Sequence, residues 1–252
     1  MFLNSNPTDT KLKISKLMKI AIMQPYFLPY LGYFSLIKST DKWIVNDEVQ
    51  MIHKGWVDRN RILKQYGGWH YIRVPLVKYP YTTSIKDIRI RNHEAWKAKI
   101  LAQLGHYKKR APYYWNTIAF LKDAFAQKFE FITDQNVYLL KRTCEYIGIK
   151  FKYDILSDLD LNLEKIEEPD EWSLQISKQL GCDHYINPIL GMNFYNREKY
   201  ADNDITLNFL QMKQIPLYHG DMVSIDGLSI VDVMMFNSPE EINEMLDNYD
   251  LI

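Results

Sequence analysis

Two short apolar runs, "KIAIM" at 19–23 and "KWIVND" at 42–47, flank a Pro-rich loop and the segment "LGYFSLIKST". That segment repeats apolar residues at helical spacing, with Leu31, Phe34 and Ile37 three apart. A strand, a helix and a second strand in about 30 residues make a β-α-β unit. Such a unit pairs its strands in parallel through a right-handed crossover. The chain that follows has to extend that sheet and cover both of its faces.

The same rhythm recurs downstream. A helix capped by Thr133 turns Val137, Leu140, Cys144 and Ile147 inward and ends at Gly148, and "KFKYDILS" follows as a strand. A helix opened by Pro169 carries Trp172, Ile176 and Leu180 and ends at Gly181, and "CDHYIN" follows as a strand. Glycine just past the last helical turn is the usual C-terminal stop. "ITLNFLQM" at 205–212 reads as a further strand. Leu228 to Phe236 is helix-like, and Ser238-Pro239-Glu240-Glu241 is a capping box with proline at the first helical position. These elements predict a mostly parallel, three-layer α/β fold, Rossmann-like in class.

Two stretches depart from that rhythm. Gly67-Gly68 precedes "WHYIRVPL", which alternates as a strand does and ends at Pro75. With "SIKDIRI" at 84–90 it is expected to form an antiparallel excursion. From about 94 to 147 the chain reads as a helical insertion. Trp96, Ile100 and Leu104 form one stripe, and Tyr114, Ile118, Leu121 and Phe125 another behind Pro112. No Pro/Gly/Ser-rich linker divides the rest, so residues 18–252 are expected to be a single α/β domain after a disordered extension at 1–17.

Lys+Arg and Asp+Glu both total 31, which removes any global electrostatic case for a nucleic-acid or membrane partner. Two cysteines in 252 residues do not make a disulfide scaffold. Residues 1–17 lack the apolar segment of a signal peptide, and no apolar run reaches membrane-spanning length. A cytoplasmic protein is the expectation. The dinucleotide fingerprint, the P-loop, H-E-x-x-H, C-x-x-C and G-x-S-x-G are all missing. Cys182 and His184 share one face of a short strand, but no further ligands accompany them, so no metal is expected.

Chemistry-bearing residues concentrate in two places. Ligands of open parallel sheets bind beyond the carboxyl ends of the strands. Gln24, Pro25 and Tyr26 stand at such an end, and the amide of Gln24 exceeds what a packing loop needs. Asp47 and Glu48 end the second strand, and Gln50, His53, Lys54, Trp56, Asp58, Arg59, Asn60 and Arg61 follow within "NDEVQMIHKGWVDRNRI". Carboxylates and a histidine can remove a proton, and arginines can hold phosphate in a bidentate grip. The same composition also describes a solvated charged turn. Two further runs are ambiguous. "HYKKRAPYYW" at 106–115 mixes cations with flat rings but also fits a helix junction. Ser229 and Asp232 lie inside an apolar helix.

The layout of "QPYFLPYLGY" is similar to nucleotidyltransferases whose first strand leads into G-x-F-x-P-x-H-x-G-H, with Tyr30 and Tyr33 where the two histidines stand. The chain more closely resembles the WbqC-like family of bacterial proteins. "MQPYFLPYLGYFSLIKSTDKWIVNDEVQ", "KGWVDRNRIL", "APYY" and "LSIVDVMMFN" carry the likeness, from Met18 to about Asn237. The family's pattern reads "DDVQ" and "GWxNRNRI"; here Glu48 replaces the second Asp, and Asp58 the first Asn. The resemblance implies work on a sugar nucleotide in O-antigen or other surface-polysaccharide biosynthesis. A nucleotidyltransferase-like variant of the fold is compatible with it.

The resulting expectation is a transferase that modifies a nucleotide-linked amino sugar by N-acyl or aminoacyl transfer. Its partners would be a nucleotide sugar and an acyl or aminoacyl donor, with an aminoacyl-tRNA as one form of donor. Asp47, Glu48 or His53 would take the proton. Gln24, Pro25, Tyr26, Gln50, Lys54, Trp56, Arg59, Asn60 and Arg61 would bind substrate. The alternatives are a nucleotide-dependent activating or nucleotidyl-transfer enzyme, and a non-catalytic scaffold of a polysaccharide assembly complex.

Overall fold

The computed structural model describes residues 18–213 and 225–252. The expected extension at 1–17 and residues 219–224 of the run before Leu228 lie outside the described residues. In chain order the first half forms β1 (Lys19–Met23), α1 (Leu31–Ser39), β2 (Lys42–Val45), β3 (Arg59–Leu63), β4 (Trp69–Arg73), α2 (Trp96–Gln103), α3 (Tyr114–Ala124) and α4 (Ile132–Tyr146). The second half forms β5 (Tyr153–Ile155), α5 (Glu171–Gln179), β6 (His184–Pro188), α6 (Arg197–Ala201), β7 (Thr206–Met212), α7 (Ile230–Phe236), α8 (Pro239–Met245) and β8 (Tyr249–Leu251).

Six strands make one sheet in the order β5-β2-β1-β6-β7-β8. The first five run parallel, with Ile20 opposite Lys42 and Met23 opposite Val45 in the opening pair. β8 alone is antiparallel, closing the edge against β7. The alternation of side chains along each strand builds the layers. Ala21, Trp43, Val45, Ile186 and Leu210 face a core shared with α1, α4 and α7. Ile20, Ile22, Ile44, Tyr185, Leu207 and Phe209 face a second core under α5 and α6. Each fully buried Ile, Leu or Val contributes about 1.5–3 kcal/mol, so both faces resist exposure.

The helix ends follow the expected chemistry in most places. Gly148 and Gly181 stand at φ 72° and 65°, a conformation that costs glycine nothing. Beyond them Ile149 N donates to Cys144 O (2.9 Å) and Cys182 N to Ser177 O (3.0 Å), capping the last carbonyls. The Ser238–Glu241 capping box is formed in both directions. Thr133 is different: the cap position falls on Phe131, and Thr133 Oγ1 is buried without a partner. Pro112 precedes α3 by two residues rather than opening it.

The antiparallel excursion also takes another form. β4 pairs with β3 across the Gly67-Gly68 turn, from Arg59 opposite Arg73 to Leu63 opposite Trp69. Closing a tight turn between adjacent segments costs less entropy than reaching across to residue 84. The segment 84–90 becomes a 3₁₀ turn at Ile85–Asp87, joined to the chain after β4 by a single bridge between Leu76 and Ile90. α2, α3 and α4 fill the interval between β4 and β5. Thr117 Oγ1 donates to Met234 O (2.8 Å) and ties α3 to α7.

Candidate functional site

The chain runs outward from β1 to β2 and β5 on one side, and from β6 to β7 on the other. The reversal lies between β1 and β6. Loops leaving two neighbouring strands in opposite directions open a crevice at their carboxyl ends, where open α/β sheets hold their ligands. Here those loops are 24–30 and 189–194.

The first loop is buried, so its carbonyls need donors from elsewhere. Tyr33 Oη donates to Gln24 O (2.8 Å), and Asn136 Nδ2 to Pro25 O (2.8 Å). Asn60 Nδ2 donates to both Phe27 O (3.1 Å) and Leu28 O (2.9 Å). Ser229 Oγ adds a second bond to Leu28 O (2.7 Å), and Ile230 N donates to Pro29 O (2.7 Å). Leu28 stands at φ 42°, a left-handed conformation that costs a leucine energy. Two donors on its carbonyl hold it there. Side chains from β3, α4 and α7 thus shape one loop at the head of the crevice.

A cavity of about 370 Å³ lies at the crevice. Met23, Tyr26 and Tyr30 wall it from the first loop, Trp56, Asn60 and Arg61 from the approach to β3 and its start. Asn187, Pro188, Leu190 and Gly191 close it from β6, and Gly227 from the start of the α7 segment. Among the described residues Arg61 is the one charged side chain in this wall. Its guanidinium lies 5.3 Å from the ring centres of both Trp56 and Trp69. Nη2 donates to Gly227 O (3.1 Å) and Asp226 O (3.3 Å), while Nε is buried without a partner. No carboxylate pairs with it among the described residues. An aromatic clamp fixes the fork, and an oxyanion of a ligand can take the place of a counter-ion. Burial pushes the Tyr26 phenol above its ordinary value. Burial, then the proximity of Tyr26, raises Tyr30 to about 12. Both hydroxyls are therefore protonated donors at neutral pH.

Tyr30 also forms the shared wall of two smaller cavities, about 270 and 230 Å³. Leu31, Leu228 and Val233 line one and Leu36, Ile189 and Leu210 the other. The first of these is also lined by Lys213, Asp226 and Asp232, so charged and apolar side chains both border the crevice beyond Tyr30.

The residues singled out in the sequence fall into three groups. Tyr26, Trp56, Asn60 and Arg61 meet at the cavity. Gln24 and Pro25 belong to the loop behind it, Pro25 buried and Gln24 partly so. The second group is engaged in holding structure. Asp47, 1 % exposed, accepts from Ser157 N (3.1 Å) and Oγ (2.7 Å). Burial raises its carboxyl above the ordinary range, and the Ser157 bonds oppose that. Glu48 pairs with Lys86 (2.8 Å). Arg59 donates to Gly55 O (3.2 Å) and to Lys54 O, with its guanidinium 4.1 Å from the Tyr71 ring centre. The third group is exposed: Gln50, bridged to Ser84, Lys54, and His53, whose ring centre lies 4.8 Å from that of Tyr81.

Tyr30, Asn187, Leu190, Gly191 and Gly227 were not singled out as binding residues. The end of "CDHYIN" at Pro188 was the available signal, since it marks a second strand terminus. Only the strand order shows that this terminus neighbours β1. A Cβ at Gly191 would sit 2.2 Å from Asn187 Nδ2, so the Asn187 side chain would have to move to admit it.

A mostly parallel sheet of Rossmann order, with an arginine-lined cavity at its reversal point, defines a three-layer α/β protein. The chain belongs to the WbqC-like protein family, whose sequence model matches residues 24–244. It is similar to an uncharacterized protein of Mycobacterium tuberculosis (strain ATCC 25618 / H37Rv), Rv1507c, at 30% identity over 154 residues. That alignment covers 59% of this chain and 64% of the relative, so the chain spans less than two thirds of the relative's length. No solved structure matches the chain. Among the described residues no helix is long and apolar enough to cross a membrane, and no cluster of three or more metal-binding side chains occurs.

Proposed function

We propose that the reversal-point cavity binds a nucleotide-linked amino sugar and that the protein is a transferase that N-acylates or aminoacylates it in surface-polysaccharide biosynthesis. The observation that carries the binding half is Arg61: a clamped guanidinium with no carboxylate partner among the described residues, in a cavity at the carboxyl ends of β1 and β6. Its fork suits a diphosphate, and the Trp56 face suits a base or sugar ring. The protonated Tyr26 and Tyr30 hydroxyls can donate to sugar or phosphate oxygens. The cavity of about 230 Å³ beyond Tyr30, lined by Leu36, Ile189 and Leu210, can take an acyl chain.

The transfer half rests on the family resemblance. An amine nitrogen attacks the acyl carbonyl, a C–N bond forms, the donor's carrier leaves, and the amine proton passes to a base. Asp47, Glu48 and His53 remain the proposed acceptors, on the segment that leaves β2 beside β1. Incubating the protein with dTDP-linked amino sugars and acyl or aminoacyl donors, followed by mass spectrometry, tests this half. The expected result is a sugar heavier by one acyl group. No mass shift with any donor would remove the transferase reading.

One observation favours a second reading, a binding module without chemistry. The described cavity wall holds no carboxylate and no imidazole. That reading predicts full function in cells for an Asp47→Asn, Glu48→Gln double variant that folds normally. No comparable observation favours nucleotidyl transfer, because Tyr33 is buried and its hydroxyl is taken by Gln24 O.

A further inference from the structure

The tip of the β3–β4 hairpin and the 3₁₀ turn at Leu104–Lys109 enclose an open bowl of about 620 Å³. Lys64, His70, His106, Lys108 and Lys109 contribute to its wall, and among the described residues no carboxylate does. Arg110 lies beside it, with Nη1 donating to Gln65 O (3.4 Å). Lys64, Lys108, Lys109 and Arg110 are all exposed, and none takes part in an ion pair among the described residues. Elsewhere many cations are matched, as Lys86 is to Glu48 and Arg142 to Asp123. In a chain with equal numbers of acids and bases, four unmatched cations around one concavity are a local arrangement. An anion bound in the bowl would meet all four at once.

Flat surfaces stand next to the charge. Trp115 is 61% exposed, with Lys108 Nζ 5.0 Å from its ring centre, and Tyr66 at the hairpin tip is 90% exposed. Lysines that track phosphates beside aromatic faces that stack bases are the combination used to hold nucleotides and single strands. The two histidines respond to the same field. His106 Nδ1 donates to Gln103 O (2.8 Å), and the Nε2 atoms of both His70 and His106 are buried without a partner. The rings lie perpendicular, 6.2 Å between centres. Burial lowers the proton affinity of both, with His106 and Lys64 adding to the effect on His70, and Arg110 to that on His106. Phosphate in the bowl would offset the charge of Lys64, Lys108, Lys109 and Arg110 and restore part of that affinity.

We propose that this bowl is a second binding site, separate from the reversal-point cavity, that takes the phosphates of a nucleotide or of a single-stranded RNA. The test is fluorescence anisotropy of a short labelled single-stranded RNA, with ATP as competitor, across a salt series. Three or four phosphate contacts predict a log–log salt slope of about −2 to −3. The Lys64→Ala, Lys109→Ala double variant should bind at least about tenfold more weakly, with the slope shallower by about 1.4. Arg61→Met, in the other cavity, should leave RNA binding unchanged. Affinity should rise as pH falls below the ordinary histidine value of about 6.5, because burial lowers both imidazoles and bound phosphate raises them again, and His70→Gln with His106→Gln should flatten that rise. Displacement by ATP assigns the site to nucleotides, and resistance to ATP assigns it to RNA. Failure of both probes to bind, or a double variant with unchanged melting that binds like wild type, would overturn the proposal.

Discussion

Asn60→Ala tests the brace that shapes the crevice. In the native chain Asn60 is 3 % exposed; its Nδ2 serves two carbonyls and its Oδ1 accepts from Arg61 N (2.8 Å). The alanine leaves Phe27 O and Arg61 N–H without these partners, while Leu28 O keeps the Ser229 hydroxyl. A buried backbone group left unpaired costs about 1–3 kcal/mol, so two predict a loss of about 2–6 kcal/mol. Urea denaturation at 25 °C measures it. For a slope of about 1–3 kcal/mol/M, a loss of about 4 kcal/mol moves the midpoint by more than 1 M. Asn60→Asp is the control. It keeps the acceptor for Arg61 N but sets a carboxylate against two carbonyls, so it should be no more stable than the alanine. A loss below about 1 kcal/mol for Asn60→Ala, or a well-tolerated aspartate, would refute the assignment of the donor and the brace with it.

Three other outcomes follow from named contacts. Asp232 is fully buried, accepts from Tyr107 Oη and Leu63 N, and burial raises its carboxyl to about 7 from 3.8. The folded state therefore holds a proton that the unfolded chain has lost. Wild-type stability should fall relative to Asp232→Asn by up to about 4 kcal/mol as pH rises from 4 to 7, read by urea melts at each pH. No change in that difference across the window would contradict the burial of this carboxyl. Gly191→Ala should drive its Cβ into Asn187, weakening ligand binding at the crevice more than it lowers the melting temperature; equal affinity would show that the 189–194 loop yields freely. Ser157→Ala removes the hydroxyl that Asp47 accepts (2.7 Å) and should cost about 1.5–3 kcal/mol by denaturant titration, with a loss within error counting against a structural role for Asp47.

The fold was legible because its signals are local. The apolar runs of β1 and β2, the glycines at 148 and 181 and the capping box at Ser238 each follow from a few neighbouring residues. The pairing of β3 with β4 was not, because "RNRIL" carries two arginines and an asparagine and reads as a charged turn. It is a strand because Asn60 and Arg61 turn those polar groups onto backbone carbonyls of the neighbouring segments. The candidate cavity was legible in half. Tyr26, Trp56, Asn60 and Arg61 were visible as chemistry-bearing residues at strand ends. The wall from β6 was not, since adjacency across a sheet depends on strand order, a long-range property no local pattern encodes. Polar residue types also did not disclose their partners. Arg59 and Arg61 stand two apart, yet one is turned to the 54–55 carbonyls and the other lines the cavity.

The central claim is that Arg61 makes the crevice an anion-binding site. Isothermal titration of UDP- or dTDP-linked sugars into wild type and Arg61→Met tests it most directly. Loss of a charge-assisted contact of about 1.5–3 kcal/mol predicts affinity at the crevice lower by about tenfold to a hundredfold, with the Lys64→Ala, Lys109→Ala background, which weakens binding at the basic bowl, showing the same difference. Equal affinity of Arg61→Met and wild type for every nucleotide sugar, or no binding by either, would contradict the claim.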